Sequence, residues 1–223
     1  MSTITIGVDL AKSAFSVCEV DGTGHVLRRQ DLKRDAFAVW LAQVPAGTVV
    51  AMEACSGAHH WARCCLELGL QPRLMAAQFV TPFRKSRTVK NDRNDAEAIA
   101  TAARQGNMCF VLIKSVDQQA RLAWHRVREG YKTESLAIGN RLRGLLAELG
   151  IVVANSDVAL RRVLGDLDQT AALPDEFKAL LRSLVVHWAQ VRRGSVWCQP
   201  SIPAAGMHDW VRSAVVGMPI CAH

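Results

Sequence analysis

The sequence predicts an α/β fold, a mixed sheet with flanking helices, followed by a mostly helical stretch. Three observations predict it. The chain opens with strand-like runs at Thr3–Leu10, Ala14–Val20 and, after the Gly-containing turn Asp21–Gly24, His25–Arg29, which reads as two successive hairpins. Two further apolar runs, Thr48–Met52 and Gln71–Ala76, alternate with segments of helical period, the order of crossover units in a layered α/β domain. From Asp117 onward the apolar residues recur at helical spacing instead.

Each element has a local reason. Phe37, Trp40, Leu41 and Val44 share one face of a helix predicted over Asp35–Val44, which Pro45 and Gly47 break. A second helix is expected over Ala58–Leu68, stopped by Gly69. His59 and His60 lie at its start; adjacent histidines point apart on a helix, so they read as surface or capping residues rather than ligands. Asp92–Gln105 forms the next helix, with Ala96, Ile99, Ala100 and Ala103 as its core-facing stripe. Asp117–Leu149 is mostly helical and suits either a helical hairpin or an oligomerising coiled coil, with Gly130 and Gly139 as candidate breaks. Shorter helices are expected at Ser156–Leu164 and Pro174–Gln190, the latter with Asp175 and Glu176 in its first turn. From Val191 no period holds, and the expectation is that 191–223 is unmatched, out-of-frame sequence.

Charge and cysteine usage narrow the function. The 223 residues carry 27 Lys+Arg against 20 Asp+Glu, a formal charge of +7 that points to a polyanionic partner. No apolar run reaches the length of a membrane span, and the start of the chain lacks the pattern of a signal peptide. The seven cysteines are odd in number and contain no C-x-x-C spacing, which reads as buried free thiols in a reducing cytoplasm rather than a disulfide framework or a zinc site.

Four acids invite a chemical reading. Asp9 ends the first strand and Glu53 the fourth, and Asp is disfavoured inside strands. Asp9 either caps the turn at Lys12–Ser13 or holds a metal at the strand end. Gly7, two residues earlier, lets a backbone or a ligand come close. Asp92 and Asp95 are spaced i,i+3 at a helix start, on one helical face; locally, Asp92 as a cap and Asp95 in the first turn is an equally available reading. Between Leu68 and Asn91 there is no acid, while Arg73, Arg84, Lys85, Arg87 and Lys90 are basic, with Phe79 and Phe83 among them. A basic run entering an acidic cluster suits phosphodiester chemistry: the cations track the backbone, and metals act at the reacting phosphate.

The pieces Ile6-Gly-Val-Asp9, Met52-Glu-Ala-Cys-Ser-Gly57, Asn91-Asp-Arg-Asn-Asp-Ala-Glu-Ala98 and Arg141-Leu-Arg-Gly-Leu-Leu-Ala-Glu148 resemble the N-terminal part of insertion-sequence 110 family transposases over about residues 3–190. The resemblance implies a ribonuclease H-like domain, similar to Holliday-junction resolvases, at 1–113, then a helical, coiled-coil-like region at 114–190 for oligomerisation and nucleic-acid contact. It implies that Asp9, Glu53, Asp92 and Asp95 form an acidic tetrad for Mg2+ or Mn2+, hard cations that take oxygen ligands. Arg84, Lys85, Arg87, Lys90, Arg93, Arg126, Arg141 and Arg143 are the expected nucleic-acid contacts. DNA is the expected partner, a structured guide RNA a further one, and self-association or association with a full-length transposase is expected. The family carries a C-terminal domain with a nucleophilic serine that 191–223 does not match; the expectation is therefore a shortened, inactive copy. The alternative is a non-catalytic DNA- or RNA-binding regulator that dimerises with the full-length enzyme. A sugar-kinase or actin-like phosphate loop also reads Ile-Gly-Val-Asp, but the second lobe and the Gly-rich adenosine loop that such a fold needs are absent.

Overall fold

The computed structural model describes residues 4–84, 92–166 and 173–197; the side chains of Asp92, Arg93 and Trp197 lie outside that description. The chain divides into two compact units at Ser115/Val116.

The first unit is built on a five-stranded sheet of β1 (Thr5–Leu10), β2 (Ala14–Val20), β3 (Val26–Lys33), β4 (Val49–Glu53) and β5 (Gln71–Met75), in the order β3-β2-β1-β4-β5. The hairpins β1–β2 and β2–β3 are antiparallel, and β4 and β5 join β1 in parallel, so the sheet is mixed as expected. Helices α1 (Arg34–Leu41), α2 (Ala58–Glu67), the short α3 (Ala77–Val80) and α4 (Asp92–Ala102) flank it. One boundary moves. β3 runs to Lys33 rather than Arg29, because Ala14 still pairs with Lys33 across the ladder. Its edge position leaves most of its side chains exposed, so Arg28–Asp31 carry no apolar alternation to read.

Side chains alternate across the sheet, and its two faces differ. Ile6, Val8, Phe15, Val17, Val50, Met52 and Leu74 pack with α1 and α2 around Phe37 and Trp61. The three rings of Phe15, Phe37 and Trp61 meet edge to face, with centroids 5.0–5.4 Å apart. The opposite face carries Gly7, Cys18, Val20, Ala51 and Met75 beneath the alanines of α4. A Cβ on Gly7 would stand 2.1 Å from the carbonyl oxygen of Ala96 and 2.6 Å from the amide nitrogen of Ala100. Only glycine lets the backbone of α4 lie that close to β1. Arg73 ties β5 to the end of α4 by donating from Nη1 to the Ala103 carbonyl at 3.0 Å, its guanidinium over the Phe110 ring.

In the second unit, α5 is one uninterrupted helix, Val116–Glu148, of 33 residues. Gly130 and Gly139 do not break it; Gly139 is buried where Leu160 and Trp188 come close. α6 (Asp157–Gly165) is capped by Ser156, whose hydroxyl accepts from the Ala159 amide at 3.1 Å. α7 (Asp175–Trp197) packs antiparallel on α5: Trp188 Nε1 donates to the Ser135 carbonyl at 3.1 Å, and Gly194 lies against the Tyr131 ring. α5 and α7 therefore form a helical hairpin, whereas the hairpin expected within Asp117–Leu149 itself is replaced by one continuous helix. α7 also outlasts its expected end at Gln190, because Val191 is buried and Gly194 makes room for Tyr131. The remainder of the tail expected to be out of frame, 198–223, lies outside the described residues.

The cysteines depart from expectation. Cys18 and Cys65 are buried free thiols, but the free Cys55 is exposed and Cys109 is disulfide-bonded. Cys109 follows α4 in an irregular, half-buried stretch rather than in the core, so an apolar sequence context did not mean burial there. No described helix is long and apolar enough to cross a membrane.

Candidate metal centre

The parity of the strands decides where the acids go. Val8 pairs with Met52 in the parallel β1–β4 ladder, so Asp9 and Glu53 follow side by side at the C-terminal ends of neighbouring strands. Asp9 lies two residues beyond Gly7 and therefore on its face, the face covered by α4. Asp95 precedes Ala96, whose carbonyl meets β1 at Gly7. The close helix–strand approach thus carries Asp95 to the edge where Asp9 and Glu53 stand.

Arg84 links two of these acids. Its Nη2 donates to Glu53 Oε1 at 2.8 Å, and its Nε stands 3.2 Å from Asp95 Oδ1, an ion-pair distance without hydrogen-bond alignment. Glu53 and Asp95 are 15% and 14% exposed and Arg84 34%, so the contacts are partly shielded from water. Arg84, one of the expected nucleic-acid contacts, has its guanidinium against two carboxylates here. Nothing in its sequence position signals that, because Glu53 is 31 residues away.

Cys55 reports the local field. The residue is exposed, yet desolvation of its sulfur, then the charges of Glu53 and Asp9, push its thiol up from the ordinary range. The candidate donors at these strand ends are carboxylate oxygens, the ligand type that hard divalent cations prefer. Asp92 lies on α4, with its side chain outside the description. Among the described residues, no three His, Cys, Asp or Glu side chains close around a single point. His59 is excluded as a ligand by its own bonding, since its Nδ1 accepts from the Lys114 amide at 3.2 Å.

The expected nucleic-acid contacts divide. Lys85, Arg87 and Lys90 lie outside the described residues, as does the side chain of Arg93. In the second unit Arg126 and Arg141 are exposed on α5. Arg143, two residues from Arg141 and so on another helical face, turns toward α6 and stands 3.7 Å from Asp157. It lines a surface cavity of about 520 Å³ with Lys132, Arg192 and Arg193, opposed by Asp157. Arg192 and Arg193 lie past Gln190, where the helical period ends in the sequence, so no local pattern marks them as part of this face.

Comparison with known proteins gives a consistent set. The family model for DEDD transposases of the insertion-sequence 110 type, described as Transposase, matches residues 6–151. A probable family 20 transposase of Pseudomonas aeruginosa is 42% identical over 187 residues, 82% of this chain and 54% of that protein. The transposase for insertion sequence element IS1111A of Coxiella burnetii is 42% identical over 149 residues, 67% of this chain and 40% of that protein. The chain thus spans about half the length of the curated relatives it matches. Among solved structures, a T. thermophilus RuvC in complex with a Holliday junction substrate aligns with a TM-score of 0.37 at 14% identity, covering 49% of this chain and 99% of that one.

Proposed function

The chain belongs to the DEDD transposase family of insertion sequences, and from that premise we propose that its first unit is a ribonuclease H-like nuclease module acting on DNA. The observation that supports this reading is the placement of Asp9 and Glu53 at the C-terminal ends of neighbouring parallel strands, with Arg84 standing between Glu53 and Asp95 of α4. With Asp92 they are the proposed ligands for Mg2+ or Mn2+. The bound cation would supply Lewis acidity and an activated water at the phosphorus. The protein's own part is to hold the carboxylates, whose mutual repulsion an opposite charge relieves, and to steer the phosphate backbone.

That steering is assigned to Lys85, Arg87, Lys90 and Arg93, close to Asp92 and Asp95 in the sequence, and to Arg126, Arg141 and Arg143 on α5. The basic cavity between α5 and α7 supports a nucleic-acid contact in the second unit; a structured RNA would be bound by the same chemistry as DNA. Exposed apolar side chains on α5, Trp124 at 50% and Leu136 at 64%, support association with a second copy.

The test is cleavage of branched and junction DNA by the purified protein with Mg2+ or Mn2+, beside an Asp92→Ala/Asp95→Ala variant. Metal-dependent cleavage or metal-dependent DNA binding by the parent protein alone is the expected result. Equal behaviour of the two proteins would overturn the tetrad assignment.

A further inference from the structure

We propose that Arg84 is a built-in competitor for the divalent cation, and that a nucleic-acid phosphate, by drawing Arg84 off Glu53 and Asp95, raises the site's affinity for that cation. The inference rests on the reading that these carboxylates are metal ligands.

Three observations carry it. Arg84 spans the two acids through the oxygens a cation would need: Nη2 on Glu53 Oε1 at 2.8 Å and Nε facing Asp95 Oδ1 at 3.2 Å. A guanidinium and a divalent ion cannot both lie against one carboxylate oxygen without strong repulsion, so one must leave. Arg84 is also able to leave. It is 34% exposed, it follows a short 3-10 turn (Thr81–Phe83), and its backbone lies outside the sheet and the flanking α-helices. Finally, Arg84 begins the basic run continued by Lys85, Arg87 and Lys90, with no acid before Asp92. A phosphate backbone attracted by that run would offer Arg84 a bidentate partner as good as the carboxylates it gives up.

Arginine thereby couples two ligands. Without a polyanion the acids are satisfied internally, and cation binding must displace Arg84. With a polyanion Arg84 is engaged elsewhere, and the acids are available. Coupling of this kind is reciprocal, so the cation must also tighten DNA binding.

The experiment titrates Mn2+ into the full chain by calorimetry, with and without a short duplex DNA, for the parent protein, Arg84→Gln, Arg84→Lys and Glu53→Gln. Arg84→Gln is expected to bind Mn2+ about tenfold tighter than the parent without DNA, within the usual range of coupling between sites. The gain that DNA gives the parent is expected to shrink by the same factor, leaving only direct contact of phosphate with the cation. Arg84→Lys, a point charge unable to bridge two carboxylates, is expected between the two, and it decides the matter if Arg84→Gln does not fold. Unchanged or weaker Mn2+ binding in these Arg84 variants, or an undiminished DNA effect, overturns the proposal. Mn2+ binding that survives intact in Glu53→Gln would instead overturn the underlying ligand assignment.

Discussion

The two faces of the sheet are packed on different principles. On one, Phe15, Phe37, Trp61 and Met52 fill the space under α1 and α2 with large rings and branched chains. On the other, Gly7, Ala51, Ala96, Ala98 and Ala100 bring α4 almost onto the strands. The first arrangement uses the larger apolar side chains, whose burial contributes more per residue. The second gives up side-chain volume for proximity, and proximity is what carries Asp95 from a helix to the strand ends of Asp9 and Glu53. Large residues make a core, and small ones make a meeting point of backbones.

Phe37→Ala should separate the two roles most sharply. Emptying the aromatic cluster is expected to cost about 3–5 kcal/mol, seen as a lowered denaturant midpoint, while Mn2+ affinity of the protein that remains folded stays at the parent value. Altered affinity would mean the faces are not independent. Gly7→Ala is the converse change. Its methyl group would meet the Ala96 carbonyl, so α4 must move away; a loss of about 1–3 kcal/mol is expected, together with weaker Mn2+ binding. A stable variant with unaltered affinity would show that the close approach does not build the site. A smaller effect is expected from Ser16→Ala, on the α4 face. Its hydroxyl donates to Asp31 at 2.7 Å, and removing it should cost about 1 kcal/mol, read as a lowered denaturant midpoint. Because Ser16 pairs with Asp9 across the β1–β2 ladder, a large loss of Mn2+ affinity as well would show that this pair also positions Asp9.

The smallest effect is expected outside both faces, in the β2–β3 turn. Asp21 accepts from the Thr23 hydroxyl and from the amides of Thr23, Gly24 and His25. The Thr23 hydroxyl leads in holding its carboxyl down to about 2, against an ordinary 3.8. A depressed folded value means that the contribution is complete above the ordinary value and is lost as pH falls from about 4 toward 2. Asp21→Asn should therefore be less stable than the parent at neutral pH, by a small margin because the group is exposed, and the gap should close as pH falls from about 4 toward 2. A gap that persists undiminished at about pH 2 would point to a role beyond this ionisation.

Much of the first unit was legible in the residues. Strand runs of period two, Gly-rich turns and the alanine stripe of α4 are local signals, and they placed β1, β2, β4, β5, α2 and α4 close to where they lie. The candidate acids were legible as well, because a carboxylate at the end of an apolar strand is out of place unless something uses it. β3 was cut short because an edge strand is held by the ladder and needs no apolar alternation. α7 was cut short because its last turns are held by α5, through Val191 and Gly194 against Tyr131, rather than by their own period.

By itself, then, the sequence determined most of the elements and the family motifs and singled out the candidate acids, since propensity, periodicity and spacing are properties of short stretches. Tertiary structure alone decided that Asp9 and Glu53 stand side by side, that Gly7 lets α4, with Asp95 on it, lie close to β1, and that Arg84 lies across two carboxylates. Those facts depend on strand register and on distances between residues tens of positions apart, which no local pattern encodes.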